Sequence, residues 1–360
     1  MHTDGGLTTA VIGLCLQDHI PRSTILFFHR EQPQPWTSKK EKTVRALEPP
    51  SNIRIVEEHY QMNPFPLLRS RKIIFLFSWF TSLALILYGC ASGHRVPFTD
   101  TLPPQRNLSV YEQRLQTAVT SSRHLALEEI GRVSYPGFQA PLWRIWFRPD
   151  GAVKYKVLFN AGIHGNEPAG AECALRFVEA IARKPENYKD IAFEIIPLVN
   201  PWGWTHDIRF NQAGIDVNRD FATFNSQEAI IIKQALGADQ YSMMFDLHED
   251  PGAKGFYMYQ YGLEDRQVGE QIVAAIQDMG YPVEQDVKMV LLKTQNGIID
   301  APMWGLKYMQ LTGQLSIANY FRLHHSHYVY TVETPTSLPF EDRLVMQRTA
   351  VDMLVDYYTK

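Results

Sequence analysis

From Pro141 onwards, five short apolar runs alternate with helical patterns, and this alternation restricts the fold more than any other feature of the chain. The runs are LWRIWF (142–147), YKVLFNA (155–161), IAFEIIPLVN (191–200), YSMMFDLH (241–248) and HYVYTVET (327–334). Helical periodicity covers Pro168–Arg183, Gln227–Leu236, Arg266–Met279 and Phe340–Tyr358. Pro168 stands where a first helical turn tolerates proline, and Pro149-Asp150-Gly151 is a turn signal between two strands. Strands of this kind, interleaved with helices, predict an α/β fold. The expectation is one domain with a mostly parallel, mixed β-sheet flanked by helices on both faces. A further helix is expected over 111–130, where Tyr111, Leu115 and Val119 recur at four-residue spacing.

Upstream, the texture changes. Residues 62–89 carry Arg69, Arg71 and Lys72, no acidic residue, and then an apolar run from Ile73 to Tyr88 that ends in Gly89-Cys90. A basic start, a short apolar run and a small residue at the processing point describe an export signal. Its end resembles a bacterial lipoprotein signal, with Cys90 as the lipidated residue, although Tyr88 departs from the usual small residue. A single transmembrane anchor is the alternative, and either form places the rest of the chain outside, tethered to a membrane, in the periplasm or at the cell surface. Residues 1–61 have scattered prolines and no sustained periodicity. They read as upstream sequence with little stable structure, translation starting at Met62, or else as a cytoplasmic extension. Residues 90–110 read as a proline-bearing tether, and 111–360 as the catalytic domain.

Charge narrows the partners. Beyond Gly89 there are 25 basic and 31 acidic residues and no basic run, so nucleic acid is not an expected partner. Three cysteines are too few for a disulfide framework.

Ligands of such sheets bind at the carboxyl ends of the strands, and candidate groups gather there. AGIHGNEPAG (161–170) places His164 and Glu167 just past one strand, His248 ends another, and Glu333 ends a third. A single His-x-x-acid arises about once by chance among twelve histidines. Four groups at three strand ends are harder to dismiss. Two imidazoles and a carboxylate suit zinc and leave the fourth position for water.

Between them lies RFNQAGIDVNRDF (209–221). With the His-x-x-Glu pair, the later histidine and Val332-Glu333-Thr334-Pro335, it resembles the zinc carboxypeptidase (M14, carboxypeptidase A-like) family, over about residues 140–340. The resemblance implies one Zn2+ per chain held by His164, Glu167 and His248, with Glu333 as general base. It implies Arg209 beside the developing oxyanion, Asn218 and Arg219 on a substrate's terminal carboxylate, and Asp216 orienting the first zinc histidine. Asp246 and Asp250 read equally as partners of His248 or as polar strand ends.

The implied reaction is zinc-dependent hydrolysis of an amide bond next to a free carboxylate. The expected substrate is a peptide, with cell-wall peptides suggested by location. The related succinylglutamate desuccinylase/aspartoacylase branch, acting on N-acyl amino acids, is the alternative. That branch usually carries a β-rich domain after the catalytic glutamate, and only 27 residues follow Glu333 here. A non-catalytic binding lipoprotein is the third reading. The stretch GQLSIANYF (313–321), expected to line the pocket, is uncharged. His324, His325 and His327 read as a polar loop near the site mouth. Tyr308, Tyr320, Tyr328 and Tyr330 all qualify as a site tyrosine, and Trp202 and Trp204 read as packing residues.

Overall fold

In chain order the domain runs α1 (Leu108–Thr120), β1 (Leu125–Tyr135), β2 (Phe138–Phe147), β3 (Tyr155–Ala161), α2 (Pro168–Arg183), β4 (Ile191–Ile196), α3 (Pro201–His206), α4 (Gln227–Leu236), β5 (Met243–Asp250) and β6 (Tyr257–Gln260). There follow α5 (Gln267–Asp278), a two-stranded ribbon of β7 (Lys288–Met289) and β8 (Leu292–Lys293), β9 (Ile298–Asp300), α6 (Met303–Leu311), α7 (Ile317–His324), β10 (Val329–Pro335) and α8 (Phe340–Thr359). This computed structural model describes residues 97–98, 102–261, 267–285, 288–289, 292–293 and 295–359. The upstream extension, the export signal and Cys90 lie outside the described residues. Among the described residues no helix is long and apolar enough to cross a membrane.

Eight strands form one sheet in the order β1–β2–β4–β3–β5–β10–β6–β9. Its centre, β4–β3–β5–β10, is parallel; β2 and β6 join that centre antiparallel. The central strands are apolar on both faces because both faces are covered. Phe159 and Phe245 point into one core with Phe177, Phe193 and Val332, whereas their neighbours Leu158 and Met244 point into a second with Val217, Ile232 and Phe321. This is the expected α/β sheet with helices on both faces.

The expected helix over 111–130 divides into two elements, α1 ending at Thr120 and β1 beginning at Leu125. Leu-Ala-Leu-Glu-Glu has good helix propensity, but propensity is a weak force beside sheet pairing. Glu128 accepts from the Arg144 guanidinium at 2.8 Å and from the Trp146 indole at 2.7 Å, both on β2. The domain also begins earlier than expected. Asn107 caps α1, its side chain accepting from Val110 N–H at 3.2 Å, and the Gln105 and Arg106 amides donate to Thr205 O at 2.7 and 3.0 Å. That part of the expected tether therefore lies on the domain.

β4 stops at Ile196 rather than Asn200. Pro197, next in the chain, has no N–H for a ladder, and Asn200 instead caps α3, accepting from Gly203 N–H at 2.9 Å with Pro201 in the first helical position. β5 extends to Asp250, and β6 lies antiparallel to β10 with Tyr257 opposite Glu333.

Candidate metal centre

β3 and β5 run side by side in parallel, with Ala161 opposite Leu247. The loop after β3 therefore meets the end of β5. Gly162 turns the chain with φ +66°, a backbone conformation side chains disfavour. Three residues later, a Cβ on Gly165 would lie 1.9 Å from the Gly203 carbonyl carbon. That loop is thus pressed backbone to backbone against α3. We expect Gly165→Ala to cost at least the ~1–3 kcal/mol typical of overpacking, read as a lowered urea midpoint with unchanged slope.

The tight turn brings His164 Nδ1 to 2.6 Å from Glu167 Oε1. His248 Nδ1 lies 2.8 Å from Glu167 Oε2 and 3.1 Å from His164 Nδ1. Ligand atoms of the three residues all fall within 4.8 Å of one another, and each residue is about 97–98% buried.

The outer nitrogens fix the tautomers, which are inferred from the hydrogen bonds. His164 Nε2 donates to Asp216 Oδ1 at 3.3 Å, and His248 Nε2 donates to Asp246 Oδ2 at 2.9 Å. Ionised carboxylates only accept, so each Nε2 carries a proton, and with a cation bound beside Glu167 each Nδ1 would turn a lone pair inward. Two imidazole nitrogens and a carboxylate then converge in a buried space, which suits a bound cation. Carboxylate–histidine pairs behind a donor set are the usual support of a metal site. Asp216 takes the place expected for it. Asp246 proves to be a partner of His248, held in turn by Asn160 Nδ2 at 2.6 Å.

Titration behaviour agrees. Burial alone would raise the Glu167 carboxyl, yet the two histidines hold it well below the usual range. Burial would lower His248, yet Asp246 and Glu167 push it well above its ordinary value. The surroundings favour positive charge at the centre. Chelation of a resident divalent ion should lower the melting temperature. Free metal at a thousandfold its Kd contributes about 4 kcal/mol, so differential scanning fluorimetry with and without dipicolinate should separate the two forms by several degrees.

The motif 209–221 folds as a tight turn. Asn211 N–H donates to Ile215 O at 3.1 Å, Gly214 N–H donates to Asn211 O at 2.9 Å, and the Asn211 side chain accepts from Ile215 N–H at 2.9 Å. This folds Arg209 back on Asp216, Nε to Oδ2 3.0 Å, and sets its Nη1 3.3 Å from Glu167 Oε1. Asp216 then caps a 3-10 turn, Val217–Arg219. Asn218 is engaged inside the protein: its Oδ1 accepts from Ile317 N–H at 3.0 Å and its Nδ2 lies 3.3 Å from His248 Nε2. The Oδ1 bond links the site to the uncharged stretch 313–321, and because the protonated His248 Nε2 cannot accept, it leaves the Nδ2 donor expected to meet a substrate carboxylate. Arg219 remains partly exposed, one guanidinium nitrogen bonded to Asn218 O at 2.8 Å; Tyr259 and Tyr261 both sense its charge.

Glu333 lies directly across from His248 in the β10–β5 register and from Tyr257 in the β10–β6 register. Burial raises its carboxyl to about 8, His248 opposing and Glu167, Asp250 and Asp246 adding to the rise. Tyr257 donates to Asp250 Oδ2 at 2.8 Å.

Other expectations need correction. His325 is buried, its backbone carbonyl accepting from Tyr241 N–H and its Nδ1 2.8 Å from Asp239 O. Tyr241 precedes β5, so the histidine tract lies at the opposite end of the sheet from the centre. Tyr320 packs among Phe221, Phe224 and His324, and Tyr330 is buried in the main core. The tyrosines beside Glu333 are Tyr257 and Tyr259, on a strand the sequence did not reveal. Glu249 was also missed: its Oε2 accepts from Ala169 N–H at 2.7 Å, its Oε1 pairs with Arg343 of α8, and its own N–H donates to Glu167 Oε2 at 3.1 Å. Gln347, one turn along α8, donates to His248 O at 3.0 Å. Contacts across about a hundred residues leave no local signal. Trp202 and Trp204 are buried packing residues, as expected.

The fold and centre together define a carboxypeptidase-like α/β domain with a candidate His-Glu-His metal site. The model of the Succinylglutamate desuccinylase/Aspartoacylase catalytic domain matches residues 154–294. Among solved structures, a candidate metallopeptidase from Shewanella denitrificans OS217 is similar at 20% identity and TM-score 0.58, over 70% of this chain and 90% of that one. A metallo-carboxypeptidase from Burkholderia cenocepacia is similar at 19% identity and TM-score 0.51, over 70% and 69%. A metallo-carboxypeptidase from Pseudomonas aeruginosa, in complex with (2-guanidinoethylmercapto)succinic acid, is similar at 16% identity and TM-score 0.50, over 70% and 69%. A search of curated proteins finds no match. The resemblance to the carboxypeptidase fold and its desuccinylase/aspartoacylase branch therefore stands. The family match includes the three candidate ligands and Arg209 but ends before Glu333.

Proposed function

We propose that the protein is a zinc-dependent hydrolase of metallocarboxypeptidase type, cleaving an amide bond next to a free carboxylate. The observation that carries this reading is the placement of Glu333 beside His248, on the strand next to the converging donor set. When bound there, zinc supplies Lewis acidity to the scissile carbonyl and acidifies water.

The chain's own groups supply the rest. Glu333 takes a proton from the attacking water as the carbon–oxygen bond forms, then delivers it to the nitrogen as the carbon–nitrogen bond breaks. Arg209 places a guanidinium next to the centre, where charge develops on the carbonyl oxygen. Arg219 offers the fork that suits a carboxylate, with Tyr259 beside it. Tyr257 and Tyr259 stay protonated, since burial next to Glu333 raises both hydroxyls. Residues 62–90 act in this reading as an export signal with lipidation at Cys90, which makes cell-wall peptides the nearest substrate.

A second reading, hydrolysis of N-acyl amino acids, draws support from the family match over 154–294. The test is the full chain, zinc-loaded, on peptides with free or amidated C-termini, murein peptides, and N-succinyl and N-acetyl amino acids. Release of C-terminal residues only from free-acid peptides is the expected result. Turnover confined to the N-acyl amino acids would move the protein to the second reading, and none on any amide would leave a binding protein.

A further inference from the structure

Arg106 lies outside the metal centre, yet it fastens the two backbone segments on which the centre depends. Its Nη1 donates to Gly165 O at 3.1 Å and to Trp204 O at 2.6 Å, and its Nη2 pairs with Asp207 Oδ1 at 2.5 Å. The guanidinium carbon sits 5.6 Å from the Trp204 ring centroid. Gly165 is the residue after His164. Trp204 belongs to α3, against which Gly165 is pressed with no room for a side chain. Asp207 ends α3 in a left-handed conformation, φ 58°, and stands two residues before Arg209.

The connection continues on the far side of that contact. Ile208 N–H donates to Gly203 O at 2.9 Å, and Asn200 Nδ2 reaches Arg209 O at 3.5 Å. One planar cation thus spans the loop that presents His164, the end of α3 and the turn into Arg209. A guanidinium suits this task, because its fixed fork can hold two carbonyls and a carboxylate at once. The segment carrying it is itself bound, through Gln105 and Arg106 N–H to Thr205 O.

We infer that Arg106 is a positioning residue for the centre, a clamp from the N-terminal segment that sets both the His164 loop and Arg209. This rests on the proposed metal site but not on the substrate assigned to it. It predicts that the clamp is felt at the metal and at Arg209 more than in global stability.

The test uses the full chain as wild type, Arg106→Ala, Arg106→Lys and Asp207→Asn. Hydrogen exchange in metal-free protein reports on the 203–211 amides, and zinc transfer to a chromogenic chelator reports on the loaded centre. Loss of an outer partner of a metal ligand typically costs about 10–100-fold in metal affinity. We expect Arg106→Ala to speed zinc release about tenfold and to raise exchange at Ile208. Arg106→Lys, whose shorter side chain ends in one nitrogen and lacks the fork that serves the carbonyls and Asp207 together, should fall between, and Asp207→Asn, which keeps both carbonyl bonds, should stay within about twofold of wild type. Zinc release at the wild-type rate in both Arg106 variants would overturn the inference, even if exchange rose, because the clamp would then be structural only. Should Arg106→Ala fail to fold, Arg106→Lys carries the same comparison. None of these readouts needs turnover, so an error in the substrate assignment shows separately on the amide panel.

Discussion

Glu333→Gln is expected to lower kcat by about a thousandfold, within the range general acid–base groups contribute, while zinc content and melting temperature stay close to wild type. That factor corresponds to about 4 kcal/mol of transition-state stabilisation. The substitution keeps the size of the side chain and the β10 backbone that pairs with β5, so the donor set one strand away is undisturbed. It should not lower stability, because burial already penalises the ionised carboxyl and an amide removes that penalty. The pH profile gives a second readout. Glu333 must be ionised to accept a proton, and its surroundings raise its carboxyl to about 8, so kcat/KM should fall as pH drops through its titration. A bound divalent cation favours the carboxylate, and the acid limb should therefore sit below 8. A variant that keeps more than a tenth of wild-type kcat, with the acid limb unchanged, would remove Glu333 from the mechanism.

The second large effect is expected at Glu167. Its two oxygens face His164, His248, Arg209 and the Glu249 N–H at 2.6 to 3.3 Å. Glu167→Ala deletes one ligand of the donor set and also strips the partners of a buried ionic network, a change that typically costs about 3–5 kcal/mol. We expect loss of stoichiometric zinc, loss of all hydrolysis, and a melting temperature below that of chelated wild type. A variant as stable as the chelated wild type would show that the carboxylate organises nothing beyond the ion. Acid should act in the same sense. Glu167 and Asp216 are both held well below the usual carboxylate range. Their contribution to stability is present above the unfolded carboxyl range and is lost as pH falls towards their folded values.

Much of this centre was legible because its chemistry is local. His164 and Glu167 are three residues apart at a strand end, and Arg209, Asn211, Gly214 and Asp216 mark a tight turn that explains their spacing. The helices at 168–183 and 227–236 have the expected bounds, since proline at the first and a serine cap, Ser226, at the second mark their starts. Where the reading failed, distant partners decided. Leu125–Glu129 is helical by composition, and only β2, whose Arg144 and Trp146 bind Glu128, makes it a strand. β6 is four residues long, too short for periodicity to register, yet it carries the tyrosines beside Glu333. Glu249, Gln347 and Arg106 support the centre through residues 59 to 99 positions away. Asn218 reads as a substrate ligand in sequence, and its Oδ1 is held by Ile317 N–H, 99 residues away, a contact with no local signal.

Everything proposed depends on whether His164, Glu167 and His248 hold one metal ion. The most direct measurement is the zinc content of the full chain after loading and exhaustive dialysis, by inductively coupled plasma mass spectrometry, for wild type and His248→Ala. The account predicts about one zinc per wild-type chain and little in the variant. A wild-type chain that retains none, or a His248→Ala chain that retains as much as wild type, would contradict it.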